Sequence, residues 1–229
     1  MSTTPADQPT GAPAPHAPEK RWPMALAVLA AVALQIGTPK EGRFTYWWLF
    51  PILEVVALAA VLIRDPGRID RRTRAARRTT LVLIALMTIG TLWGLTVLML
   101  DILDPTFSNV NVGATALLGR GAALWVTNVL VFSLWFWELD RGGAAERAAG
   151  SGILPSFGFP EDAMPELVAK GWIPRYPDYL YLSYTNATAF SPTDTLPVRT
   201  WAKMIMMVES SISLVTAILV IARAINELA

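Results

Sequence analysis

Glu209, Ser213, Thr216 and Arg223 follow one another at intervals of four, three and seven residues, so they share one stripe of a helix. They interrupt an otherwise apolar run, VRTWAKMIMMVESSISLVTAILVIAR, at residues 198–223. An ionisable group inside a bilayer costs on the order of 2.5–3.5 kcal/mol on insertion scales, and such groups face the bundle interior or water. Two readings of the stripe stand open. One is a lining for a cation or proton pathway; the other is hydrogen-bonded glue between helices. Glu54 is a second carboxylate in the middle of an apolar run. Paired with Glu209, it would make a site where repulsion forces two carboxyls to share a proton, as a proton-coupled carrier requires. Arg120, about two turns into a third run, offers either glutamate an ion pair, and the three then form a buried charge network. Asp194 lies in the polar stretch SPTDTLP. It is placed to attract a cation at a pore mouth. Alternatively, Thr193, Asp194 or Thr195 caps the following helix, with Pro197 in its first turn. Asn186 and Thr188 are polar enough to face a cavity, and equally able to close hydrogen bonds against the hairpin. Asn128 reads as an interhelical hydrogen bonder.

The elements that carry these residues are membrane-like. Hydrophobic residues make up 53% of the chain and charged residues only 16%, against about 25% charged in a soluble domain. Five runs read as spans: residues 22–38, 46–63, 80–100, 113–138 and 198–223. Nine Trp are present, several at run ends, as interfacial belts require. Between the fourth and fifth runs, DYLYLSYTNATAF is an aromatic half-helix, too short for a bilayer that needs roughly 20 apolar residues. Half-helix, polar turn and long helix together read as a re-entrant loop feeding the last span. Non-helical backbone at membrane depth survives only where protein buries it or it lines a wet cavity.

Residues 1–21, rich in proline and small side chains, read as a disordered tail. Residues 22–140 form a four-helix membrane region. Residues 141–176 are a linker in which 160–171 is expected to form a short interfacial helix. Residues 177–229 hold the re-entrant loop and final span. A cleaved signal peptide competes for the first run, but the long proline-rich leader favours a retained helix. The segment RDPGRIDRRTRAARR carries seven Arg against two Asp, and the positive-inside rule puts it in the cytoplasm. Counting from it, the N-terminus is cytoplasmic, the half-helix enters from the cytoplasm, and the C-terminus emerges outside.

The motif Tyr181-Leu-Ser-Tyr-Thr185, followed by Phe190-Ser-Pro-Thr-Asp194-Thr195, resembles the C-terminal signature of a family of uncharacterised bacterial inner-membrane proteins. That family brings no activity with it. The layout of residues 80–226 is similar to the family's, and the specific motif covers residues 178–195. The same stretch is similar, without gaps, to the pore loop of potassium channels, where an aromatic pore helix runs into Thr-x-Gly-Tyr-Gly-Asp. Asp194 falls on that family's Asp, while Ser191, Pro192 and Thr193 stand where Gly-Tyr-Gly would be. Those glycines permit the backbone angles that aim successive carbonyls at the ion, so the filter ladder is not reproduced here.

The expected fold is an all-α membrane protein of five transmembrane helices plus a re-entrant half-helix before the last span. The leading functional expectation is a channel-like protein conducting a small cation through a homo-oligomeric pore. The last helix would line it, with Glu209, Ser213, Thr216, Asp194, Thr188 and Asn186 along the pathway. The alternatives are a non-conducting scaffold or partner subunit, and a proton-coupled carrier using Glu54 and Glu209. With no Cys and with its one His in the tail, the chain lacks the usual parts for zinc chemistry or Ser-His-Asp hydrolysis. No enzyme activity, cofactor or metal is expected. A net charge of +1 gives nucleic acid no footprint. The partners expected are the lipid bilayer, a small cation or proton, and further copies of the chain.

Overall fold

The computed structural model describes residues 19–38, 48–64, 74–103, 114–189 and 194–228. Among them are eight α-helices and one two-stranded sheet. The longer helices are α1 (Trp22–Gly37), α2 (Leu49–Arg64), α3 (Arg74–Leu103), α4 (Ala114–Leu139), α7 (Tyr176–Ala189) and α8 (Thr200–Leu228). Single-turn helices α5 (Ala144–Ala148) and α6 (Pro160–Ala163) lie between α4 and α7, with strand β1 (Phe157–Gly158). Strand β2 (Leu196–Pro197) precedes α8. Three helical stretches, Arg74–Ile102, Thr115–Gly142 and Thr200–Ala222, are long and apolar enough to cross a membrane. Helices α1 and α2 have 16 residues each, about 24 Å at 1.5 Å per residue, against a hydrocarbon core of about 30 Å.

Helix α4 is the centre of the bundle, packed against α1, α3, α7 and α8. Its second half is buried nearly all round: Val129, Val131, Phe132, Leu134, Phe136 and Trp137 are all buried. Helix α1 turns Met24, Ala27, Val28, Ala31 and Val32 inward at three- and four-residue spacing, which makes one helical face. Pro23 stands in its first turn, where no N–H is needed. Near the other end of α4, Gly121 lets α8 approach closely, because an added Cβ would collide with Val220. Gly121→Val is therefore expected to destabilise the fold by about 1–3 kcal/mol, the usual range for overpacking, read as a lower melting temperature in detergent.

Polar contacts show which helix ends lie together. Arg77 at the start of α3 pairs with Glu138 at the end of α4 at 3.6 Å. Arg64 at the end of α2 bonds Thr79 at 3.1 Å. Glu19, just before α1, meets Arg147 beyond α4 at 2.9 Å. At this shared end, residues 140–175 form a cap. The chain reverses there through Arg141, Gly142 and Gly143, all at positive φ (51°, 81° and 96°). Two glycines supply this at little steric cost. Arg141 is held in place by Asp162 at 2.6 Å and Asp140 at 3.4 Å.

Helices α7 and α8 both begin at the cap. Tyr179 on α7 donates to Asp140 at 2.6 Å, and Trp201 on α8 packs edge-on against Phe157 of β1 at 5.9 Å. Helix α7 then descends α4, reaching the Val129 carbonyl with Ser183 and Trp125 with Tyr184. Its 14 residues amount to about 21 Å. The chain is back at the cap by β2, where Leu196 and Pro197 pair antiparallel with Gly158 and Phe157. Helix α8 starts down again from there.

Several expectations change. Residues 160–171 do not form one helix. A turn at Pro160–Ala163 and a 3-10 turn at Pro165–Leu167 replace it, because Pro165 removes a donor and clashes with the preceding turn. Glu19 and Arg21, assigned to a disordered tail, are 7% and 4% exposed, and the buried Arg147 draws Glu19 in. The basic segment is helical from Arg74 onward, two turns before the expected start of the third span. Residues 190–193, which carry much of the channel resemblance, and the rest of the arginine-rich segment lie outside the described residues.

Candidate functional site

Glu209 lies about nine residues into α8, roughly 14 Å below the cap at helical rise, and is 0% exposed. Three helices meet around it. From α7, Asn186 Nδ2 donates to Glu209 Oε2 at 2.6 Å and to the Met206 carbonyl at 3.0 Å. Also from α7, Ser183 Oγ touches both Glu209 Oε1 and the Val129 carbonyl of α4. From α4, Asn128 Nδ2 donates to the Glu209 backbone carbonyl at 3.2 Å and to Ser213 Oγ at 3.0 Å. Ser210 Oγ completes the node by donating to the Asn186 carbonyl at 3.3 Å. These side chains belong together because their helices present them at one depth. Ser183 and Asn186 are three residues apart on α7, and Glu209 and Ser213 four apart on α8, so each pair shares a face.

The stripe thus exists, and it points inward. Ser213 and Thr216 are 1% and 2% exposed. Thr216 returns its hydroxyl to the Ile212 carbonyl of its own helix at 2.7 Å. Met204, Met207, Val208, Ile218 and Ile221 form the outward face of α8. Within the chain, Glu209 meets side chains of both α4 and α7, and Ser213 meets Asn128 of α4. The side chain of Arg223 lies outside the described residues.

The proposed charge network of Glu54, Arg120 and Glu209 is not assembled either. Glu54 is 0% exposed on α2. Gln35 Nε2 on α1 bonds both of its carboxylate oxygens at 3.0 Å. Gly90 on α3 leaves room for it, since a Cβ there would stand 3.1 Å from Oε1. Arg120 Nη1 pairs with Asp101 Oδ2 at 3.0 Å, joining the end of α3 to the start of α4. It sits a quarter of the way along α4, at the end away from the cap, whereas both glutamates lie at mid-depth. Glu54 and Glu209 therefore answer to separate neutral partners and share no proton with each other.

Asp194 and Thr188 are exposed on either side of residues 190–193. Thr188 bonds back to the Tyr184 carbonyl at 2.7 Å. Helix α8 starts at Thr200, five residues beyond Thr195, and Pro197 is in β2 rather than in a first helical turn. Asn186, one of the expected pathway residues, is 2% exposed and belongs to the node.

The cap holds a second cluster that the sequence reading missed. Arg147 is buried and donates to the Trp137 and Asp140 carbonyls at 2.6 and 3.0 Å, and to Glu19. Its guanidinium lies 5.1 Å from the Tyr179 ring centre and 5.9 Å from that of Trp137. Trp137 Nε1 also donates to Glu19 at 2.8 Å. Burial pushes the Tyr179 phenol well above its ordinary range, which keeps it a donor to Asp140. Asp140 Oδ1 accepts from the Ser156 amide at 2.7 Å. This cluster ties together the segment before α1, the end of α4, the cap and the start of α7. One signal was available: Arg147 follows an apolar run closely and sits among alanines. Gln35 was missed too, although it is the single side-chain amide in α1.

Among the described residues the arrangement offers two deep carboxyls with uncharged partners, a buried charged staple at the cap, and an apolar outer wall. No family model matches this chain, and neither a curated protein nor a solved structure matches it.

Proposed function

We propose that this chain is an integral membrane protein of five spans plus one re-entrant half-helix, acting as a non-conducting scaffold or partner subunit. In this reading α1 and α2 cross as short spans, and α7 enters and leaves from the cap side. The cap side is cytoplasmic in a bacterial inner membrane, and so is the N-terminus. Support for the sidedness comes from Arg64, Arg74, Arg77, Arg175, Arg199 and Lys203, which all lie at the cap end. The resemblance to uncharacterised inner-membrane proteins belongs to the same proposal. One observation carries the functional part: Glu209 of the α8 stripe is bonded by Asn186 and Ser183 of α7, and Ser213 by Asn128 of α4, so both tie α8 to its neighbours. Polar groups used this way lock helices in place and leave the lipid-facing wall apolar.

A channel-like reading keeps one observation in its favour. Thr188 and Asp194 are exposed at the end of the half-helix and before β2, so copies of the chain around an axis would bring those residues, rather than Glu209, to a pore for a small cation. Ion flux through purified protein in liposomes separates the two. The scaffold reading predicts no flux above protein-free liposomes for wild type and Glu209→Gln alike. A saturable cation flux reduced by Asp194→Asn would replace it with the channel reading. A proton flux altered by Glu54→Gln or Glu209→Gln would replace it with a carrier.

A further inference from the structure

We propose that Glu209 is a proton-binding site whose carboxyl holds its proton on Oε1 and donates it to Ser183. The assignment comes from counting hydrogens. Ser183 Oγ lies 2.7 Å from the Val129 carbonyl oxygen and in contact with Glu209 Oε1. A hydroxyl has one proton to give, and a backbone carbonyl can only accept. The Ser183 proton therefore goes to Val129, and the Ser183–Glu209 contact takes its hydrogen from the carboxyl. A neutral carboxyl donates through one oxygen and accepts at the other. The other oxygen, Oε2, receives a hydrogen from Asn186 at 2.6 Å, and the second hydrogen of that amide goes to the Met206 carbonyl. Each hydrogen in the relay then has one acceptor.

An ionised Glu209 breaks this balance. Val129 and Oε1 would compete for the one Ser183 hydrogen, and α7 would lose the Ser183 bond either to α4 or to α8. Among the described residues, no cation lies against the Glu209 carboxyl. Ser183 and Asn186 face the carboxyl from α7, and Asn128 lies beside it on α4; all three are uncharged. Helix α3 also packs on α8, and its charged residues Arg74, Arg77, Arg78 and Asp101 lie near its two ends. Lys203, on α8 itself, lies toward the cap and is exposed. Glu54 gives a contrast within the same protein. A single Gln35 nitrogen reaches both of its oxygens, so the same count assigns it no donated proton.

The proton is then the hydrogen on which the Ser183 link between α7 and α4 depends, and its release would loosen the half-helix. This inference rests on the reading of the node as a clamp. Infrared spectra of the full chain in lipid nanodiscs at neutral pH test it, comparing wild type, Glu209→Gln, Glu54→Gln and Ser183→Ala. The expected result is a protonated-carboxyl C=O band that Glu209→Gln removes, that Glu54→Gln retains, and that Ser183→Ala shifts to higher frequency. Loss of only a carboxylate band in Glu209→Gln would overturn the assignment. If that variant does not fold, Ser183→Ala decides alone, and an unshifted protonated-carboxyl region overturns it. An ionised Glu209 in a protein that passes no ions would sink the proton assignment and leave the scaffold reading standing. A protonated Glu209 whose replacement by Gln alters an ion flux would sink the scaffold reading alone.

Discussion

Glu209→Ala is expected to lower stability by about 2–4 kcal/mol, combining lost interhelical hydrogen bonds of about 1 kcal/mol each with a cavity cost. The truncation takes away the acceptor of Asn186 and the partner of Ser183, and it empties a space enclosed by α4, α7 and α8. The loss should be local. Amide exchange should rise along α7, while α1 and α2, which do not touch the node, stay protected. Glu209→Gln is the informative contrast. Its carbonyl still accepts from Asn186 and its amide can donate to Ser183 as a neutral carboxyl does. The Gln variant should therefore stay within about 1 kcal/mol of wild type, the worth of one net hydrogen bond. Thermal unfolding in detergent reads both. Equal losses for Ala and Gln would mean that a negative charge, rather than the hydrogen-bond pattern, holds the half-helix.

Arg147→Met is expected to cost about 3–5 kcal/mol, the range for breaking a buried ion pair from one side. The substituted side chain fills the volume but leaves Glu19 buried without its cation, takes the guanidinium donor from the Trp137 carbonyl, and leaves the Asp140 carbonyl with the Gly143 amide alone. Arg147→Lys should rescue little, because an ammonium cannot reproduce the planar fork that reaches three acceptors and stacks on two rings. The consequence is directional. Residues 19–21 should leave the cap, and tryptic cleavage after Arg21 should rise in folded protein. Adding Glu19→Gln to Arg147→Met should recover part of the loss, as a double-mutant cycle between contacting residues requires.

Much of this fold was legible in the sequence, and for a physical reason. Runs of Leu, Val, Ile and Ala long enough to match a bilayer announce helices whatever they pack against, and 14 residues of α7 announce a helix too short to cross. The α8 side of the node was legible as well: Glu209 and Ser213 share a stripe, with Thr216, by arithmetic alone. What periodicity withholds is the direction of that stripe, since it shows which residues share a face but not what the face meets. A channel wall and a helix clamp have the same spacing. The partners were hidden by distance along the chain. Asn128 reaches Ser213 across 85 residues and Arg147 reaches Glu19 across 128, and no local pattern couples such positions. Arg120 shows the same limit. Its ionic character was plain, but its choice of Asp101 over either glutamate depends on where along α4 the arginine sits.

The account turns on α7 entering and leaving by one side of the membrane. Because the chain has no Cys, single-cysteine labelling with an impermeant reagent tests this directly. Arg175→Cys before α7 and Leu196→Cys after it are both at exposed positions. Leu154→Cys marks the cap, and Thr38→Cys marks the far end of α1. The expected result is that positions 175, 196 and 154 label from the cytoplasm and position 38 from the outside. Labelling of 175 and 196 from opposite sides would make α7 a crossing segment and contradict the account.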